Sequence, residues 1–530
     1  MDSAQFRKAA HAAIDEIINY YDTIGERRVV SEVEPGYLRK ILPDGPPQEG
    51  EKWEDIQKDI EAKIMPGLTH WQHPNFMAWF PASSTYPGML GELYSSAFTT
   101  AAFNWLCSPA VTELETVVLD WLAKLLNLPA SFLSSGEGGG VVQGSASEAI
   151  VTVMVAARDK YLRESTAHLE GAEREIAIAE KRGRLVALGS EMAHSSTQKA
   201  ALIAGTRFRA IPAGLEDNFG LTGKNFREIV DQCLLEGLEP FYLTASLGTT
   251  ATCAVDNFGE IAEVLRDHPA IWVHVDAAYA GAALVCEEYQ QLTHYMDNFD
   301  SFDMNMHKWL LTNFDASCLF VKRRRHLIDA LSVTPSYLRN EFSDSGLVTD
   351  YRDWQIPLGR RFRALKIWFV MRTYGVEGLK NHIRNTVKLG ELFCSMIQSR
   401  PDLFKVLTPP AFALTVLCVV PHSKSPASAS VPQPKAAREA YSNSFTPDAT
   451  SQALIDSNLL TKQVYEAVNS RAEIFVTGVV VKGTYAIRVV SANPKAEEKY
   501  IRRAFEILVE VAEEVRNQVG GKGMEPVRET

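Results

Sequence analysis

The chain lacks paired cysteine motifs. Its seven cysteines, at 107, 233, 253, 286, 318, 394 and 418, are scattered, odd in number and without a C-x-x-C pair, so neither a disulfide framework nor a metal site is expected. Basic blocks are missing too: 54 Lys and Arg face 65 Asp and Glu, a net charge of −11, which disfavours a nucleic acid partner. No apolar run approaches the roughly 18 residues needed to span a bilayer. The Met1-Asp2-Ser3-Ala4 start has no basic region leading into an apolar one, so no secretory leader is expected. A reduced cytoplasmic protein without membrane contact fits these absences. What remains is 530 residues, 46% of them hydrophobic, enough for several packed units at roughly 150 residues each.

Phe6, Ala10, Ala13, Ile14, Ile17 and Tyr21 recur at helical spacing and predict an amphipathic helix whose single apolar stripe needs a partner surface. Turn formers follow at Glu34-Pro35-Gly36 and Pro43 to Pro47, so residues 1–85 read as an arm lying across something else. From 86 to 365, helical patterns alternate with short apolar runs such as Val186 to Leu188, Phe241 to Thr244 and Ile271 to Val275. That alternation predicts an α/β domain with a mostly parallel sheet, whose ligands bind beyond the carboxyl ends of its strands. Residues 366–530 mix helices (Phe362 to Tyr374, Leu379 to Ser399, Lys495 to Gln518) with a strand in Ala411 to Val420, predicting a smaller α+β domain. Within it, 421–450 is rich in Ser, Pro, Ala and Lys without apolar periodicity and reads as a surface insertion.

Three segments carry chemistry. Ser134 to Ser147 is glycine-rich, ends in Ser145-Ala146-Ser147 and runs into a helix; free first-turn amides and two hydroxyls there suit a phosphate. The bland alternative is a glycine loop needed only for a turn. The spacing matches neither the dinucleotide nor the P-loop pattern. Next, Asp276 ends an apolar strand in His274-Val275-Asp276-Ala277-Ala278-Tyr279; it is either a helix cap or a buried carboxylate needing a cation such as a protonated pyridine nitrogen. Finally, Lys308 in Asn305-Met306-His307-Lys308-Trp309 is either a surface lysine or a desolvated amine able to form an imine. A phosphate cradle, a carboxylate for a ring nitrogen and a lysine for an aldehyde together are what pyridoxal 5′-phosphate requires.

These segments, with His73-Pro74-Asn75-Phe76 and Ser108-Pro109-Ala110-Val111-Thr112-Glu113, resemble the group II pyridoxal-phosphate decarboxylases, and more narrowly the aromatic L-amino acid decarboxylases. The resemblance spans about 4–420 and 455–515. It implies a fold-type I pyridoxal-phosphate enzyme, a homodimer with active sites at the subunit interface, and the N-terminal helix packed on the other subunit. Lys308 would hold the cofactor aldehyde and Asp276 its ring nitrogen, with Ala278 on one ring face and His194 on the other, near the substrate carboxylate. Ser145, Ala146, Ser147, Asn305 and His307 would hold the phosphate, with Ser246 beside it where many relatives have Thr. Tyr337, on a polar glycine-containing loop, would protonate the substrate carbon after carbon dioxide leaves.

The same resemblance places the substrate ring among Trp71, Trp79, Phe80, Pro81, Ala82, Phe103 and Gly359. Trp79 and Ala82 depart from the common Tyr and Thr, and Gly359 matches the small residue associated with indolic substrates. The expected reaction converts an aromatic L-amino acid of the tryptophan, tyrosine, dihydroxyphenylalanine or phenylalanine type to its arylalkylamine and carbon dioxide. Two alternatives stand beside it: an aldehyde synthase, which in plant relatives accompanies Phe in place of the Tyr, and a catalytically inactive scaffold. A glutamate decarboxylase is disfavoured because the pocket segments are aromatic rather than basic.

Overall fold

Short apolar runs bounded by turn residues assemble into one central sheet. The computed structural model describes residues 1–333, 341–344, 348–421 and 452–521. In it β1 (Gly139–Gln143), β2 (Leu185–Ser190), β3 (Arg207–Ile211), β4 (Glu239–Ser246), β5 (Trp272–Asp276), β6 (Ser301–Asn305) and β7 (Ser317–Val321) take the order β1-β7-β6-β5-β4-β2-β3. Only β7 runs against its neighbours; β3, β2, β4, β5 and β6 are parallel in succession. β1, β2, β5, β6 and β7 are buried along their whole length, as helix-covered strands must be. Alternation along β5 and β6 separates two faces. Val273, Val275, Phe302 and Met304 enter the larger apolar core, whereas Trp272, His274, Asp276, Ser301, Asp303 and Asn305 share the other side.

A second sheet follows, with β8 (Phe404–Val406), β9 (Leu414–Val419), β10 (Thr477–Val481) and β11 (Thr484–Val490) antiparallel in the order β10-β11-β9-β8. The helices Gln452–Arg471 and Glu498–Gly521 bury Val464, Val468, Ile507 and Leu508 against its Leu417, Ile487 and Val489. The two helices expected between 362 and 399 are present within Arg363–Gln398, separated by a kink at Gly375, whose φ of 63° is open to glycine without strain. This element serves both cores: Ile367, Val370 and Ile383 pack in the large one, Phe393 and Ile397 in the small one. The insertion expected at 421–450 lies, beyond Pro421, outside the described residues.

The N-terminal helix Ser3–Thr23 starts with a reciprocal cap, Asp2 accepting from the Ala4 and Gln5 amides while the Gln5 side chain accepts from the Asp2 amide. Its stripe residues Phe6, Ile14 and Ile17 are exposed. The chain then returns to the small sheet, where the Met77 amide donates to Phe475 O (2.9 Å) and the Val490 amide to Met77 O (3.0 Å). His73 anchors this return: it is buried, and its Nδ1 accepts from the Asn75 amide at 3.0 Å. Burial pushes its pKa from 6.5 down to about 4, so the folded state keeps the imidazole neutral. Because the unfolded chain takes up this proton first, the stability His73 contributes is complete above pH 6.5 and lost as pH falls towards 4. The urea midpoint should fall across that interval, and less steeply in His73→Gln; equal slopes would remove His73 from the acid response.

Candidate active site

The candidate residues gather where the parallel strands end. β1 leads to Ser145, β2 to His194, β4 ends at Ser246, β5 at Asp276 with Ala278 just beyond, and β6 at Asn305, with His307 and Lys308 just beyond. Sheet register aligns them: Ser246 lies opposite Asp276, and Asn305 opposite Ser317, which also pairs with Gln143.

Lys308 is clamped from the N-terminal side of the chain, with Ser83 Oγ donating to its carbonyl (2.8 Å) and the Ser83 amide to that of His307 (2.7 Å). Its Nζ stands 5.8 Å from the centre of the Phe80 ring. Burial lowers the amine's pKa, while the carboxylates of Asp276 and Asp303 pull it back up. A lowered amine pKa enlarges the free-base fraction that attacks a carbonyl. Asp276 is buried, and its Oδ1 accepts from the Ala278 amide at 3.0 Å. This contact closes a turn rather than capping a helix, since the helical turn that follows is Ala280–Val285 with Tyr279 before it; the other oxygen has no hydrogen bond among the described residues.

The candidate anion site is smaller than the glycine-rich stretch suggests. Gly139–Gln143 is a strand, so Ser134 to Gly138 lie at its far end, where Arg324 Nη1 holds the carbonyls of Ser134, Gly136 and Gly138 at 3.2, 2.7 and 2.8 Å. Those glycines serve a turn. Ser145 caps the helix Ala146–Ser165, its Oγ accepting from the Glu148 amide at 3.2 Å. The cap uses a lone pair and leaves the hydroxyl hydrogen free, next to the first-turn amides of Ala146 and Ser147. His307 is buried and its Nδ1 accepts from the Ala316 amide (2.8 Å), with burial driving its pKa down to about 3. It is a neutral imidazole with Nε2–H as donor.

Buried polar atoms are normally paired, yet Gln143 Oε1, Ser317 Oγ and Asn305 Oδ1, at one level across β1, β7 and β6, have no partner among the described residues. Such a row is where polar atoms of a ligand belong. With the first-turn amides, the Asp276 carboxylate and the Lys308 amine, the residues present fit pyridoxal 5′-phosphate. His194 follows β2 with its side chain accessible; its Nδ1 accepts from the Ser196 amide (3.2 Å) and lies 2.8 Å from Ser196 Oγ. The surrounding protein lowers its pKa, with Asp276 opposing. That shift favours the neutral imidazole, and the two contacts with Ser196 fix the ring by its Nδ1 edge.

Of the expected substrate residues, one group lies together. Trp71 stacks on Trp79 (5.2 Å) and packs against Phe76 (4.6 Å), while Phe80 stacks on Tyr279 (3.8 Å), which stacks on Trp309 (4.8 Å). Pro81 is buried, and Ala82 O accepts from the Gln72 side chain. Phe103 and Gly359 belong to another neighbourhood: the Arg352 amide donates to Phe103 O (3.3 Å), the Arg360 amide to Ala101 O (2.8 Å), and Gly359 is exposed with open space around it. Tyr337 lies outside the described residues, as do Asn340, Ser345 and Gly346 of its loop.

Two residues escaped the sequence reading. Arg488, on β11, is 4% exposed with its guanidinium 5.0 Å from the Phe80 ring centre; Nε donates to Ala251 O (3.1 Å), Nη1 to Thr477 Oγ1 (3.3 Å), and Nη2 is buried without a partner among the described residues. Its only signal was a cation inside the apolar run Ala486-Ile487-Arg488-Val489-Val490. Asp303 is a fully buried acid within Ser301-Phe302-Asp303-Met304-Asn305.

A mostly parallel seven-stranded sheet, a small antiparallel sheet behind it and a lysine site at the strand ends define a fold-type I pyridoxal-phosphate enzyme. The pyridoxal-dependent decarboxylase conserved domain matches residues 35–419. A phenylacetaldehyde synthase of Arabidopsis thaliana is 42% identical over 516 residues, 97% of this chain and 96% of the relative. An aromatic-L-amino-acid decarboxylase of Rattus norvegicus is 47% identical over 410 residues, 77% of this chain and 84% of the relative. The crystal structure of Oryza sativa TDC with PLP and tryptamine matches with a TM-score of 0.87 at 36% identity, covering 98% of this chain and 99% of that one. The chain belongs to the pyridoxal-dependent decarboxylase family, among its aromatic amino acid decarboxylases and related aldehyde synthases, and its cofactor is pyridoxal 5′-phosphate. Among the described residues no helix is long and apolar enough to cross a membrane, and no cluster of His, Cys, Asp and Glu could hold a metal ion.

Proposed function

We propose that this protein decarboxylates aromatic L-amino acids to arylalkylamines and carbon dioxide. The observation that carries the proposal is the Lys308 amine, desolvated beside two carboxylates and bordered by the Phe80 ring. When bound, pyridoxal 5′-phosphate supplies an aldehyde for the substrate amine and a protonated ring that accepts the electrons freed as the carboxylate leaves. Asp276 keeps the proton on the ring nitrogen. Ser145, Ala146, Ser147, Asn305 and His307 hold the phosphate, with Ser246 beside it, and Ala278 and His194 border the two ring faces. Arg488 presents an unpaired N–H to the substrate carboxylate, a pairing that orients the bond to be broken. Trp71, Trp79, Phe80, Pro81 and Ala82 line the space for the aromatic ring. Tyr337 returns a proton to the substrate carbon.

The aldehyde synthase reading is favoured by the 42% identical phenylacetaldehyde synthase. Tyr337 favours the amine, because a tyrosine can protonate the carbon before oxygen reacts with it. Purified enzyme given tryptophan, tyrosine, phenylalanine and dihydroxyphenylalanine should release amine with little peroxide or ammonia, and Tyr337→Phe should shift products towards aldehyde. Stoichiometric peroxide from the wild type would overturn the amine reading, and an unaltered product ratio would remove Tyr337 as the acid.

The protein acts as a homodimer. The exposed stripe of helix Ser3–Thr23 and the exposed Leu90, Leu93, Tyr94 and Phe98 of the 86–98 segment are apolar surface that a second copy covers, and Phe103 and Gly359 complete the partner's substrate pocket. Tyr94→Asp should yield monomers by light scattering together with loss of activity; a monomer that retains full turnover would refute the shared pocket.

A further inference from the structure

β5 and β6 set two carboxylates side by side. Asp276 and Asp303 are register partners on adjacent parallel strands, so their side chains leave the same face of the sheet. Both are buried, Asp303 completely. Two acids so placed do not both ionise readily unless cations face them. In the reading above, on which this inference rests, Asp276 meets the ring nitrogen. Asp303 has a different partner.

Three side chains lead to it in series. Trp272 Nε1 donates to Ser301 Oγ (2.8 Å), Ser301 Oγ lies 2.9 Å from His274 Nδ1, and His274 Nε2 lies 3.0 Å from Asp303 Oδ1. An indole can only donate, so Ser301 Oγ accepts from Trp272, and its contact with Nδ1 holds the imidazole with Nε2 aimed at the carboxylate. The series therefore holds the His274 ring against Asp303. Asp303 Oδ2 is buried with no partner among the described residues, a place for a proton. The titratable groups facing Asp303 are His274 and Asp276 on β5, Tyr242 on β4, Cys318 on β7 and Lys308 beyond β6; the helix Ala146–Ser165 buries Ile150, Val153 and Met154 over this side of the sheet.

We propose that Asp303, fixed by His274, is a positioning residue of the cofactor site: an auxiliary acid beside Asp276 whose charge governs how tightly the site holds a protonated pyridine ring. Burial and the Asp276 charge raise the Asp303 pKa to about 6, with the His274 hydrogen bond opposing. Below that pH Asp303 is a neutral acid and Asp276 alone faces the ring. Above it a second negative charge stands one strand away and favours the cationic ring.

The test titrates apoenzyme with pyridoxal 5′-phosphate, following tryptophan fluorescence, and compares wild type with Asp303→Asn. Near pH 8 the variant should bind about tenfold more weakly, and near pH 5 the two should bind alike, since Asp303 is already neutral there. The ratio of affinities cancels the titration of the cofactor itself. His274→Leu keeps the carboxylate but removes its donor, so the change in affinity should move to higher pH. A wild-type to Asp303→Asn ratio that is the same at both pH values overturns the proposal, as does an unmoved transition in His274→Leu. Asp276→Asn separates this inference from the one beneath it: weak binding at both pH values upholds Asp276 as the ring-nitrogen partner, whereas unimpaired binding there means that the site reading itself has failed.

Discussion

Lys308→Ala should abolish both turnover and the visible absorption that pyridoxal 5′-phosphate gains when linked to a lysine. The amine is desolvated within a site whose other groups include carboxylates, a neutral His307, hydroxyls, aromatic rings and the Arg488 guanidinium, and none of these replaces a nucleophilic amine. A fall on the order of a thousandfold or more is expected, because removing the covalent anchor disables the groups that act with it. Far-UV circular dichroism should be unchanged, since Ser83 holds the backbone at Lys308 rather than its side chain. Retained absorption or turnover in the variant would sink the assignment. A wild type that binds the cofactor without that absorption would instead favour the scaffold reading.

The second large effect concerns stability. Glu115 and Arg360 are buried and joined twice, Nη1 to Oε2 at 2.9 Å and Nη2 to Oε1 at 2.6 Å. Arg360 also reaches Val142 O (3.2 Å) and Gln355 Oε1 (2.9 Å) and lies over the Tyr351 ring, while Glu115 Oε1 accepts from the Val142 amide (2.8 Å). The pair ties the helix Pro109–Leu125 to β1 and to the segment bearing Gly359. Glu115→Ala leaves a buried guanidinium without its anion, which should cost about 3–5 kcal/mol in chemical denaturation at fixed protein concentration. Because β1 leads into Ser145, cofactor affinity should fall as well. A midpoint within error of wild type would show the ion pair to be dispensable.

Much of this arrangement was legible beforehand. Alternating strand and helix patterns predicted the sheet, and His307-Lys308, Asp276 and Ser145 to Ser147 could be placed at strand ends because ligands of such sheets bind there. The glycine-rich stretch was read too generously. It looks continuous in a string, but the five-residue strand Gly139–Gln143 separates Ser134 to Gly138 from Ser145 to Ser147, and only the latter lie at the candidate site. Arg488 and Asp303 were overlooked because a charge in an apolar strand has no partner visible in the sequence; Arg488 lies 180 residues beyond Lys308 (488 − 308).

Residue order alone dictated the cofactor and the class of chemistry, since each demand of that chemistry rests on a short motif whose local geometry is nearly independent of the rest of the chain. Tertiary packing decided everything that depends on distant segments meeting. It brought Phe80 onto Tyr279 and Arg488 over Phe80, set Asp276 beside Asp303 by strand register, and left Phe103 and Gly359 away from the Trp71 cluster. The cysteines whose scatter first argued against a metal framework are all free thiols, six of the seven buried in the packing. Burial and register are properties of the folded chain, and they determine which charges are left unpaired to meet a ligand.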